Sequence, residues 1–210
     1  MAPGTSRTPL VFLIGVVAGV LLLGAARFFA APPDAHDGVH YHANFALFVD
    51  GQRVDLTGEQ FMEDVAACAA DPSQQRPEDR VHLHDGNMDV VHVHDAGAAW
   101  GHLFTNLGFG LGDDHLVPPD GRKLVSDADT RVTFVLNGRP ERSVRNRVIR
   151  SGDRLLVDVG APASDSMLQA RLAQVASNAE EFNAKLDPAT CSGGHVPRTT
   201  GERLRRAFWY

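Results

Sequence analysis

From Leu10 to Ala26 every residue is apolar or glycine, and if Arg27 snorkels to an interface the apolar run continues through Phe28, Phe29, Ala30 and Ala31. A membrane-spanning helix needs about 20 such residues. A run with no polar face cannot be an amphipathic element of an ordinary domain, so the water-facing fold must be built from the residues beyond Ala31. A cleaved secretory signal is the competing reading, but such segments have short apolar cores and small residues at the cut site. Here Arg27, Phe28 and Phe29 crowd that position and Pro32 follows Ala31. The sequence favours an uncleaved signal-anchor over 10–31, with the lipid bilayer as its partner. Arg7 and the amino terminus mark residues 1–9 as cytoplasmic, whereas Asp34 and Asp37 follow the helix, so the C-terminal domain is expected outside, periplasmic or extracellular.

Residues 32–38, with Pro32 and Pro33, read as a stiff linker. The chain of 210 residues then has material for one domain plus appendages. Its net charge of -6 argues against a general nucleic-acid binder, because such binding needs clustered positive charge facing phosphates. The arginines between Arg139 and Arg154 fall within strands and turns and read as a solvated sheet edge.

The expected domain covers 39–162. Strand formers from His40 to Val49 lead through Asp50-Gly51 into Arg53-Val54-Asp55-Leu56, a hairpin. The spacing of Phe61, Met62, Val65 and Ala66 predicts a helix over Glu59–Ala70, capped by Thr57. Arg80–Asp85 and Val90–Asp95 read as two strands around a turn containing Gly86-Asn87. A short helix carries Ala99, Trp100, Leu103, Phe104 and Leu107 and stops at Gly108. From Thr130, alternation through Val132, Phe134 and Leu136 reaches Asn137-Gly138, and Ser151-Gly152-Asp153 turns into a last strand, Leu155–Val159. The fold class is therefore α+β: a mainly antiparallel sheet with short helices, with a β-grasp-like topology as the candidate arrangement. A four-and-three stripe of Leu168, Leu172, Val175, Ala179, Phe182 and Leu186 predicts one amphipathic helix over 163–187 that docks on its own domain. Residues 188–210, ending in Phe208-Trp209-Tyr210, read as a flexible tail.

Six of the ten histidines form three His-x-His pairs, each within an expected strand: His40/His42, His82/His84 and His92/His94. Residues i and i+2 of a strand project to the same face roughly 7 Å apart, close enough for two imidazoles to converge on one ion. If the later two strands pair antiparallel and in register, His82, His84, His92 and His94 share a face, and the first pair completes or extends the site. Imidazole nitrogen suits a transition metal, with copper or zinc preferred here, and no nearby cysteine suggests a thiolate-rich site. Asp85 and Asp95, each following a His-x-His, can swing back at a turn as ligands or orient imidazoles from behind them. Met88 would favour Cu(I) but is more simply packing. His102 and His115 read as incidental, and His36 and His195 lie in linker and tail. A metal-free surface titrating near pH 6 to 7 is the other reading of such a cluster.

Cys68 and Cys191 are too few for a disulfide framework, though one bridge between them is compatible with an oxidising compartment. Catalysis finds less support, since there is no His-Glu-x-x-His, Gly-x-Ser-x-Gly or phosphate-cradling loop. The alternatives kept open are a metal-dependent enzyme and a metal-free interaction or thiol-redox accessory domain; no protein partner is evident.

The chain resembles a poorly characterised group of bacterial membrane-anchored, histidine-rich proteins. The resemblance rests on His40-Tyr41-His42-Ala43-Asn44-Phe45 leading to Asp50-Gly51, Val81-His82-Leu83-His84-Asp85, Val91-His92-Val93-His94, Trp100-Gly101, Asn137-Gly138 and Gly152-Asp153-Arg154. It implies an inner-membrane, single-pass topology and a shared histidine core. Some members are labelled protein-disulfide isomerase, yet this chain has no Cys-x-x-Cys pair.

Overall fold

The computed structural model describes residues 8–30, 39–64, 76–185 and 200–209. The expected linker, both cysteines with their possible bridge, His36 and His195 lie outside the described residues. The chain divides into two compact units, His36–Gly194 and a second made of Met1–Ala35 with His195–Tyr210.

In the second unit, α1 (Thr8–Ala30) spans 23 residues, about 35 Å at the rise of an α-helix. Its segment Val11–Phe29 is long and apolar enough to cross a membrane. Every residue from 11 to 23 is exposed.

The larger unit is α+β. β1 (Tyr41–Val49) turns through Asp50 and Gly51, both at positive φ, into β2 (Gln52–Arg53), which is the expected hairpin. A 3-10 turn over Glu59–Phe61 stands where a longer helix was expected, and residues 62–64 are not helical; residues 65–70 lie outside the described residues. Thr57 is not a cap, because its N–H and Oγ1 both donate to Asp55 Oδ1, at 2.9 and 2.7 Å. That local turn uses the hydroxyl a cap would need.

A helical turn that the pattern did not announce, α2 (Pro77–Arg80), begins with proline at its first position and with Asp79 Oδ2 accepting from Arg76 N at 2.8 Å. It leads into β3 (Val81–His82), then β4 (Val90–Val93) and α3 (Trp100–Asn106), which ends at Gly108 with φ 78° as expected. Between Gly108 and Thr130, where the pattern assigned no element, β5 (Gly110–Leu111), β6 (His115–Val117) and β7 (Leu124–Val125) form a small antiparallel sheet. β8 (Arg131–Leu136), β9 (Arg139–Glu141) and β10 (Arg154–Gly160) complete the main sheet.

That sheet has the order β3-β4-β1-β10-β8-β9, with β2 on β1. Every pair is antiparallel except the central one: β10 runs parallel to β1 from Asn44↔Arg154 to Val49↔Val159. Being central, β1 is buried on both faces, which is why it reads as a nearly continuous apolar run. Odd-numbered Ala43, Phe45 and Leu47 join Trp100, Leu103 and Phe104 of α3 in the larger core. Even-numbered Ala46 and Phe48 pack with Val135, Leu156 and Val175 on the opposite face, with Leu168 and Leu172 against them.

The long C-terminal helix is two pieces, α4 (Asp165–Leu172) and α5 (Ala179–Asn183). The break has a partner: Arg154 Nε donates to Ala176 O at 2.9 Å, and its Nη2 to Leu172 O and Val175 O. The carbonyls at the end of α4 are thus satisfied by a guanidinium rather than by a continuing helix. Leu168, Leu172 and Val175 still reach the sheet. In the other unit, α6 (Thr200–Trp209) replaces the flexible tail over those residues, consistent with the helix formers of Glu202–Ala207. The Phe208 ring lies where a side chain at Gly24 of α1 would be, so glycine permits this approach.

Candidate metal centre

β1 continues its alternation at its amino end, so His40 and His42 fall on the same face as Ala46 and Phe48, beneath the α4–α5 layer. The register places His92 between two partners, His42 on β1 and His82 on β3. One step beyond it, His40 and His94 stack with ring centroids 4.9 Å apart and planes 9° from parallel. His84 follows β3 and meets His92 at 3.6 Å between centroids. All six paired histidines therefore gather together; His42, His82, His84, His92 and His94 are buried and His40 half-buried.

The closest approaches run across strands rather than along them. Centroids of His40/His42, His82/His84 and His92/His94 are 4.6, 5.7 and 6.5 Å apart, whereas His92 comes within 4.3 Å of His42. The ligand atoms of His40, His92 and His94 all lie within 4.8 Å of one another, and this triad can hold a metal ion.

Three rings are oriented by oxygen acceptors behind them. His42 Nδ1 is 2.9 Å from Asn183 Oδ1, His82 Nδ1 is 2.7 Å from the Glu78 carbonyl, and His84 Nδ1 is 2.9 Å from Asp85 Oδ2. These oxygens only accept, so each Nδ1 carries the proton and each Nε2 keeps its lone pair. Two of those lone pairs meet at one atom: His42 Nε2 and His84 Nε2 each lie 2.9 Å from His92 Nδ1. Burial, then the nearness of His84, His42, His82 and His94, holds the His92 imidazole far below the ordinary histidine range. The neutral ring that results is the form that binds metal.

Asp85, exposed and at φ 57°, stands behind the ring of a paired histidine, His84. Asp95 does not: its carboxylate accepts from Arg80 Nε at 2.9 Å and from Gly97 N at 2.6 Å, which turns it toward its own loop. Met88 packs against the core on the other sheet face. His102 Nδ1 accepts from Ala99 N at the start of α3, and His115 contacts Asp114 at the surface. A cavity of about 200 Å³ borders His82, with Glu63, Glu78, Leu83 and Asn106 in its wall.

The helical spacing singled out Ala179 and Phe182, but not the polar partners that help seat α5 over the cluster. Buried Asn44 accepts from Ala179 N at 3.0 Å and donates to Asn178 Oδ1 and Asp89 O, both at 2.9 Å. This ties the start of α5 to β1. At the other end Phe182 packs against the rings of His42 and His92, with centroids 5.7 and 6.4 Å away.

No protein-family model, no curated protein and no solved structure matches the chain.

Proposed function

We propose that this chain is a membrane-anchored transition-metal binding protein, displaying its histidine domain outside the cytoplasm and taking copper or zinc. The observation that carries the reading is the convergence of His40, His92 and His94, with His42, His82 and His84 beside them. Imidazole donors of this density suit a borderline ion, and rings held through Nδ1 by an oxygen are the usual support of metal-ligating histidines. Val11–Phe29 serves as the anchor. The distribution of charge around it favours an external domain, on the inner membrane of a bacterium such as those of the group the chain resembles. Glu78 in the cavity wall beside His82 favours approach of a cation, while Glu63 is paired with Arg76.

Binding rather than catalysis is the reading because Asp85 is engaged with His84 and Asp95 with Arg80 and Gly97, which gives neither the freedom of a general base. The test is metal content of the full chain, purified in detergent, loaded with copper or zinc and dialysed. Stoichiometric retention is expected, with loss when His82, His84, His92 and His94 are all replaced by alanine. A well-folded wild-type chain that retains neither ion would overturn the proposal.

A further inference from the structure

Five imidazoles surround the sixth. The ring centroid of His92 lies 3.6 Å from that of His84, 4.3 Å from His42, 6.0 Å from His82, 6.2 Å from His40 and 6.5 Å from His94. These neighbours form two groups. His42 Nε2 and His84 Nε2 converge on His92 Nδ1 at 2.9 Å each. His40 and His94 stack on each other, and their ligand atoms join those of His92 within 4.8 Å. The His82 ring lies 5.1 Å from that of His94, against 5.7 Å from His84.

A tetrahedral ion with metal–nitrogen bonds of about 2.0–2.1 Å sets its donors about 3.3 Å apart and takes about four of them. Six imidazoles exceed one such shell. The two groups adjoin where His40 and His42 stand 4.6 Å apart, and the one member common to both is His92. A ring nitrogen gives its lone pair to one ion, so a histidine serving both groups must use both nitrogens, which point away from opposite edges of the ring.

Building on the metal-binding reading, we propose that the histidine face holds two transition-metal ions bridged by His92. One ion is bound by His42, His84 and Nδ1 of His92; the other by His40, His94 and Nε2 of His92, with His82 at its side. When the second ion binds, the remaining ring proton of His92 passes to solvent, and the imidazolate gives one lone pair to each ion. The anionic bridge also offsets part of the charge of two cations held among buried groups.

Copper(II) titration of the full chain in detergent tests this, with copper per chain and electron paramagnetic resonance measured at each step. The first equivalent should give a nitrogen-coordinated signal. The second should abolish most of it, because two Cu(II) ions joined by an imidazolate pair their spins. Replacing both His40 and His94 by alanine should leave one copper per chain at full signal intensity. One copper bound by the wild-type chain would overturn the two-ion centre while leaving the metal-binding reading intact. Two coppers with undiminished intensity would overturn the bridge, and no bound copper or zinc would overturn both.

Discussion

A single oxygen of Asn183 holds His42 twice: Oδ1 accepts from the backbone N–H at 2.8 Å and from the imidazole Nδ1 at 2.9 Å. The Asn183 amide is itself fixed, since Nδ2 donates to Ser151 Oγ and Glu180 Oε2. A residue on α5 thereby sets the tautomer of an imidazole on β1 and aims its Nε2 at His92. Asn183→Ala should leave the fold in place and lower metal affinity about 10- to 100-fold, the usual effect of removing a group that orients a ligand. Isothermal titration calorimetry with zinc checks this.

Bound metal should stabilise the domain by mass action, because the unfolded chain does not hold these histidines together. At a free-metal concentration 100 times the Kd the gain is about 2.7 kcal/mol, or roughly 5–10 °C in Tm for a domain of this size. Thermal melts with zinc and with a chelator measure the difference. His92→Leu, which fills a buried position with an apolar side chain, should abolish the shift without abolishing folding.

Acid should weaken the metal-free fold. The pKa of His92 is lowered in the folded state, by burial first and by its histidine neighbours second. The unfolded chain, with an ordinary histidine pKa of about 6.5, therefore binds the proton more readily. This contribution to stability is fully present above about pH 6.5 and is lost progressively as the pH falls below it. Denaturant titrations between pH 5 and 8 in the presence of chelator should show a decline on the acid side, and His92→Leu should flatten it.

Beneath α4, buried Asp158 of β10 accepts two contacts from Arg171 Nη1, at 2.5 and 2.6 Å. Burial raises the carboxyl pKa and Arg171 opposes that rise. Removing only the guanidinium leaves a buried charge without its partner, so Arg171→Ala should cost about 3–5 kcal/mol in a denaturant titration. Replacing both residues with leucine should recover most of that loss.

The histidine face was legible because a strand has a period of two: His-x-His repeated in three expected strands can only face one way within each. Which imidazoles meet was not legible, since the approaches of His92 to His42 and His84 depend on how strands pair. The parallel pairing of β1 with β10 depends on the same information, which no local pattern carries. The apolar stripe from Leu168 found the residues that cover the sheet, but its helical spacing hid the break that Arg154 creates from a distant strand. Asn183 gave no signal, because a polar residue beside an apolar stripe normally means a solvated helix face. Strands of two or three residues such as β5 and β7 are too short for alternation to register.

X-ray absorption at the zinc edge, on the full chain loaded with zinc and dialysed, reads which atoms surround the ion. The histidine centre predicts a shell dominated by nitrogen at about 2.0–2.1 Å, with the multiple scattering of imidazole rings. Zinc surrounded only by water and carboxylate oxygens, without that imidazole signature, would contradict it.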